Sequence, residues 1–239
     1  MRAILLAAGF GTRLRPITDQ VPKCLVEIAG RPLLDYWLHD LHEAGVDEFL
    51  INTHYLADEV VSFIDGHSLR SQVRLVNEKE LLGTAGTLMA NREFAMKETT
   101  LLAHADNLCF CPWPAFFDGH ARRPVESLMT MMTFETDAPH ECGIVEADDA
   151  GIVIGFHEKV ENPPGNNANA AVYLIEPPLI EFVHSLGDDI HDLSTQVLPK
   201  LKGRIFTWRN DDLLIDIGTP ERLESARAIV EKRSPDRRS

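Results

Sequence analysis

Two cations and two acids stand where they could do phosphorus chemistry. Arg13 and Lys23 lie ten residues apart, on a stretch that leaves an apolar run through glycines two positions apart. Ala7, Ala8, Gly9, Gly11 and Thr12 precede Arg13 and make a loop whose backbone N–H groups can approach a polyphosphate, because glycine has no Cβ in the way. Arg13 can fork onto two phosphate oxygens, while Lys23 adds a point charge on a third. Such a loop suits a triphosphate. A Walker loop is excluded, since no Gly-Lys-Ser/Thr follows four residues after a glycine. The dinucleotide fingerprint needs a third small residue where Leu14 stands.

Asp106 closes the apolar run Leu101-Leu102-Ala103-His104-Ala105, and Asp216 closes Leu213-Leu214-Ile215 ahead of Ile217-Gly218-Thr219. Transfer at an α-phosphate needs positive charge around the reacting centre, and carboxylates at strand ends are the usual holders of a divalent cation. A strand-end turn for Asp106, and a helix-capping role for Asp216 or Thr219, are the plain structural alternatives.

The whole string G-x-G-T-R-x-x-P-x-T followed by Pro22-Lys23 resembles the signature of the sugar-1-phosphate nucleotidylyltransferases. The resemblance implies that Arg13 and Lys23 neutralise the transferring group and that Asp106 and Asp216 bind Mg²⁺, with Asp106 also catalytic. His104-Ala105 departs from the small residue and glycine commoner there. Asn77 to Gly86 resembles the family's base-reading loop and following helix, which makes Glu78, Gly83, Thr84 and Gly86 nucleotide-binding candidates, with Thr84 as a helix cap. A carboxylate only accepts hydrogen bonds; guanine offers adjacent N–H donors, uracil and thymine one, and cytosine its amino group. GTP is therefore the expected donor, with UTP, or CTP for another sugar, left open and a solvated loop acid as the plain reading of Glu78. Glu158-Lys159-Val160 resembles the family's Glu-Lys-Pro motif, and Asn169-Ala170-Ala171-Val172-Tyr173 its Asn-Ala-Gly-x-Tyr. Glu158, Lys159 and Asn169 are thereby the sugar-phosphate candidates. The resemblance implies transfer of a nucleoside monophosphate to a mannose- or heptose-type sugar 1-phosphate. A phosphorylated amino alcohol as acceptor, or a nucleotide-sensing subunit without catalysis, are the competing readings.

The rest of the chain is consistent with a small-molecule enzyme. A formal net charge of −14, from 23 basic and 37 acidic side chains, argues against nucleic acid and anionic membranes as partners. No apolar run approaches the ~20 residues of a membrane span. Met1 leads directly into a strand with no leader pattern, so a cytoplasmic location is expected. Cys24, Cys109, Cys111 and Cys142 lack zinc-type spacing and read as reduced thiols, with a Cys109–Cys111 metal pair the lesser reading. Whether the chain forms a homo-oligomer stays open.

Strand-like and helix-like runs alternate through the first half, and strands dominate from Ser127. The expected fold is α/β: a Rossmann-like, mixed, mostly parallel sheet with helices on both faces, of the nucleotide-diphospho-sugar transferase type. Helices are expected over Pro32 to Ala44, Ala85 to Phe94 and Asp192 to Leu198, among others. One domain over residues 1–233 is expected, with a frayed tail at 234–239.

Overall fold

Apolar runs and helical stripes alternate from the first residues, and the computed structural model describes them over residues 1–233; the tail 234–239 lies outside the described residues. β1 (Arg2–Leu6) leads through short 3-10 turns to the paired strands β2 (Glu27–Ile28) and β3 (Arg31–Pro32). Next come α1 (Leu33–Glu43), β4 (Glu48–Thr53), α2 (Ala57–Asp65), β5 (Val73–Asn77), α3 (Gly83–Ala90) and α4 (Arg92–Ala95). β6 (Thr100–His104), β7 (Asn107–Cys109), α5 (Trp113–Ala121), β8 (Met129–Glu135) and β9 (Gly143–Ala147) follow. The chain ends with β10 (Val153–Glu158), β11 (Asn167–Ile175), α6 (Pro177–Ser185), β12 (Ile205–Arg209), β13 (Leu214–Asp216) and α7 (Pro220–Arg233). The strands form a mixed sheet with helices, which is the α/β class expected.

Two compact units divide the chain. The first comprises Leu5–Leu81, His104–Phe110 and residues 213–233. Here β4 pairs with β5 in parallel, from Phe49 opposite Val73 to Thr53 opposite Asn77. Phe49, Leu50 and Ile51 are all fully buried, as in a strand covered on both faces. Helix α1 buries Leu34, Trp37, Leu38 and Leu41 on its apolar stripe, and it stops just before Gly45, whose φ of 97° suits only glycine well. Trp37 Nε1 donates to the Asn107 carbonyl at 2.8 Å, and the Tyr36 hydroxyl donates to the Ile28 carbonyl at 2.9 Å. α1 thus anchors both β7 and β2. β7 and β13 pair antiparallel, with Asp216 opposite Asn107 and Ile215 opposite Leu108. Leu108 and Ile217 enter one core with Leu14, Val26, Leu33 and Leu223.

The second unit comprises Met1–Ile4, Leu82–Ala103 and Cys111–Asp212. β11 is its central strand, antiparallel to β6, β8 and β9, while β12 runs parallel to β8. β9 and β10 form a hairpin whose turn is tied by Asp148 Oδ1, which accepts from the N–H groups of Ala150 and Ile152.

Three expectations change in detail. The helix expected over Ala85 to Phe94 is two helices, because Asn91 turns its side chain back onto the Thr87 carbonyl at 2.9 Å. The helix expected over Asp192 to Leu198 is a wide π-type turn, Leu193–Val197, followed by a 3-10 turn, Leu198–Leu201. Pro199 has no N–H with which to continue an α-helix there. α5 was not expected; its Pro114 lies in the first turn, where a missing N–H costs nothing.

Leu108 supports the strand pair that carries Asp216 and follows directly on Asp106. Leu108→Ala is expected to cost about 2–5 kcal/mol of stability, read from urea unfolding. An unchanged urea midpoint would remove this residue from the support of the pair.

Candidate active site

Within the first unit, β1 empties into a loop that folds back on itself. Gly11 takes φ 61°, and its carbonyl accepts from the Leu14 N–H at 2.9 Å and the Thr18 hydroxyl at 2.8 Å. A Cβ at Gly11 would lie 2.9 Å from Thr18 Cγ2 and 3.2 Å from Lys23 Cβ, so the position admits glycine alone without a shift. Thr12 and Arg13 form the 3-10 turn that follows, and Leu14 plugs the core beneath them. Ala7 and Ala8 are buried, whereas Gly9 has open space where a Cβ would point.

Lys23 follows Pro22 in a later 3-10 turn and is only 6 % exposed. Its Nζ lies 3.0 Å from Asp106 Oδ2 and 2.7 Å from Asp216 Oδ1. The two acids meet because Asp106 immediately precedes β7 and Asp216 ends β13, in the register already described. Arg13 Nη2 reaches Asp216 Oδ2 at 3.4 Å, and Arg222 Nη1 stands 3.7 Å from the same oxygen. Burial raises the Asp216 carboxyl pKa, but the Lys23 charge and hydrogen bond, then Arg13 and Arg222, outweigh it and hold the group below the usual carboxylate range. A Cβ at Gly218 would fall 2.8 Å from Arg13 Nη2 and 2.9 Å from both Asp216 carboxylate oxygens. That glycine is what lets guanidinium and carboxylate meet. Arg15, the other cation of the loop, pairs with Asp19 at 3.1 Å.

Glu78 is not a solvated loop acid: it is 5 % exposed and accepts from Asn52 Nδ2 at 3.0 Å. Thr219, one capping alternative, does serve α7, since its Oγ1 accepts from the Arg222 N–H at 3.3 Å.

The second unit holds the remaining candidates. Gly83 takes φ 77° and packs against the His191 carbonyl, which accepts from the N–H groups of Ala85 (2.9 Å) and Gly86 (3.3 Å). That carbonyl satisfies the first turn of α3, so the expected cap at Thr84 is corrected. Thr84 lies inside the helix; its hydroxyl accepts from the Leu193 N–H at 2.8 Å and donates to Asp192 Oδ2 at 3.4 Å. Glu158 ends β10 opposite Gly143, where a Cβ would fall 2.6 Å from Glu158 Oε2. Lys159 follows in a left-handed conformation, φ 48°, with its Nζ 3.7 Å from Glu158 Oε1. Asn169 donates to the Tyr173 hydroxyl at 2.7 Å and accepts from the Ala171 N–H at 3.0 Å. Burial, then the Glu158 and Asp192 charges, push the Tyr173 phenol up, against the hydrogen bonds from Asn169 and Ser194. Glu158, Asn169 and Asp192 thus all act on the Tyr173 phenol.

The nucleotidyl transferase family model matches residues 2–233. The chain belongs to that family. A UTP–glucose-1-phosphate uridylyltransferase of Synechocystis is 29 % identical over 97 % of this chain and 64 % of its own length. Mannose-1-phosphate guanyltransferase 2 of Candida glabrata is 28 % identical over 92 % of this chain and 62 % of its own. The chain thus spans less than two thirds of these relatives. A Bacillus anthracis structure described as a glucose-1-phosphate thymidylyltransferase superposes with a TM-score of 0.85, at 21 % identity, covering 96 % of this chain and 94 % of that one. That last likeness establishes the fold.

In this nucleotidyl transferase, Asn52, Arg222 and Asp192 are site neighbours that the sequence reading missed. Arg222 had a faint signal, one turn past the Thr219 cap; Asn52 had none, because its partners are distant in sequence, and Asp192 reads as a local cap on Thr195 until its other oxygen meets Thr84. Among the described residues, no helix is long and apolar enough to cross a membrane.

Removing Lys23 has a consequence of definite sign. Asp216 is held below its unfolded pKa, so its contribution to stability is present above about pH 4 and lost as pH falls through the folded value. Lys23→Ala takes away the strongest cause of that depression and leaves the burial. The melting-temperature deficit of Lys23→Ala against wild type is expected to be largest near pH 7 and to shrink as pH falls below about 4, through the folded pKa of Asp216. A deficit that does not change with pH would contradict the pairing.

Proposed function

We propose that this chain transfers a nucleoside monophosphate from a nucleoside triphosphate to a sugar 1-phosphate, with GTP as the preferred donor. The observation that carries the reading is the buried Lys23 ammonium, held between Asp106 and Asp216 in the unit that also contains the glycine loop. An oxygen of the sugar phosphate attacks the α-phosphorus, a new P–O bond forms, and the bond to pyrophosphate breaks. No side chain need act as nucleophile. Arg13 and Lys23 supply the positive charge that the reacting phosphorus demands, already oriented by their carboxylate partners.

Gly9 supports a ligand at the loop. Among the described residues nothing fills the space of its Cβ, so a bare backbone there serves an approaching molecule rather than packing. Asp106 and Asp216 also fit Mg²⁺, since two carboxylates that converge on one cation are a hard oxygen donor set. When bound, the ion would neutralise phosphate charge beside Lys23. For the acceptor, Glu158, Lys159 and Asn169 carry the sugar-phosphate reading, with Tyr173 and Asp192 as their polar surroundings.

The guanine preference draws on the guanyltransferase relatives, and a mannose- or heptose-type phosphate is the matching acceptor. The test is pyrophosphate release across four nucleoside triphosphates and a set of sugar 1-phosphates, with Mg²⁺. GTP is expected to give the highest rate. A best rate with UTP would replace the base while keeping the reaction, and no release with any pair would remove the reaction itself.

Asp216→Asn separates chemistry from folding. The amide is a poorer ligand for a hard cation and a poorer partner for Lys23. The variant should melt as one transition and lose turnover by about 100-fold or more. Near-normal turnover at limiting Mg²⁺ would take Asp216 out of the metal site.

A further inference from the structure

Two loops of the first unit are joined through the end of β4 by side-chain hydrogen bonds that the proposed chemistry does not use. The backbone N–H of Ala7, at the start of the glycine loop, donates to Asn52 Oδ1 at 2.8 Å. Asn52 Nδ2 in turn donates to Glu78 Oε1 at 3.0 Å. Asn52 lies near the end of β4, and Glu78 directly follows β5. A backbone N–H can only donate and a carboxylate can only accept, so the two partners fix how the Asn52 amide is turned. Glu78 is itself tied at its backbone. Its N–H donates to the Thr53 carbonyl at 2.8 Å, and its carbonyl lies 2.8 Å from His54 Nδ1.

Both side chains are buried, Asn52 at 3 % and Glu78 at 5 % exposure. A polar group that loses its partner there has little water to replace it. The chemistry of the middle position is narrow. It must accept from one neighbour and donate to the other across a short span, which an amide does and neither a carboxylate nor an apolar side chain can do. Such a constraint is stronger than packing requires. It holds the first turn of the glycine loop in register with the loop after β5.

We propose that Asn52 is a positioning residue for triphosphate binding, and that Glu78 acts through Asn52 on the glycine loop rather than by reading the base. This rests on the transferase reading above. It assigns Glu78 a task that is indifferent to the base, so base choice lies with other residues.

The test exploits the direction of the hydrogen bonds. Asn52→Asp sets two carboxylates against each other; Glu78→Gln leaves an oxygen for Asn52 to reach. In the double variant N52D/E78Q the Gln amide donates to the Asp carboxylate, which still accepts from Ala7. Binding of each of the four triphosphates with Mg²⁺ is measured by calorimetry in the absence of sugar phosphate, and KM values are measured for both substrates. N52D is expected to weaken triphosphate binding about tenfold or more, with the sugar-phosphate KM unchanged. E78Q should bind within about threefold of wild type, with the order of the four bases kept, and N52D/E78Q should recover most of the loss.

N52D that binds as wild type, or a double variant no better than N52D, overturns the relay. A changed order of bases in E78Q overturns it too, by showing that Glu78 contacts the base. E78Q decides this even if N52D does not fold, because it preserves the hydrogen-bond pattern. Wild-type protein that binds no triphosphate would overturn the transferase reading instead.

Discussion

An ammonium group withdrawn from water must find negative charge beside it, and Lys23 finds two carboxylates. Taking an unpaired ion into a protein costs several kcal/mol, so a buried lysine is held only where its partners are in place. Asp106 and Asp216 are separated by most of the second half of the chain, yet both must present an oxygen to one nitrogen. Much of the first unit is arranged to meet that demand. The β7–β13 register sets the acids side by side, Trp37 ties β7 to helix α1, and Leu108 and Ile217 bury the pair's apolar face.

The same arrangement explains the glycines that matter. Gly11 is confined by its positive φ and by Thr18 and Lys23, while Gly218 is confined by Arg13 and Asp216. Gly218 leaves room for a charged contact that one methyl group would force apart, and Gly11 for the close approach of Thr18 and the Lys23 stem. Gly9, with open space around it, has no such internal reason. In a chain with formal net charge −14, Arg13, Lys23 and Arg222 gather at Asp216, where a local excess of cations can meet an anionic ligand.

The second unit solves a different problem with similar means. Tyr173 is buried with its hydroxyl held by Asn169, and Asn169 Oδ1 accepts from the N–H of Ala171, whose φ of 54° is one that a glycine would adopt more easily. The register of β11 against β8 slips between Asn169 and Tyr173, so the strand departs from its ladder where these polar groups are needed. On the opposite strand pair, Gly143 leaves space for the Glu158 carboxylate.

Local chemistry was legible in the sequence. Glycines two apart before Arg13, an acid at the end of each of two apolar runs, and alternating strand and helix patterns carried the α/β class and the family. These features follow from short-range rules: backbone freedom at glycine, and the periods of strand and helix. What the tertiary structure alone decided were the pairings across distance. Thr84 looked like a cap, but the His191 carbonyl from another part of the chain had already satisfied that helix. Glu78 looked like a surface acid, and Asn52 like an ordinary strand residue, until β4 and β5 set them in contact. Charge partners and hydrogen bonds between distant residues depend on register, and register is settled only when the apolar faces of the strands pack.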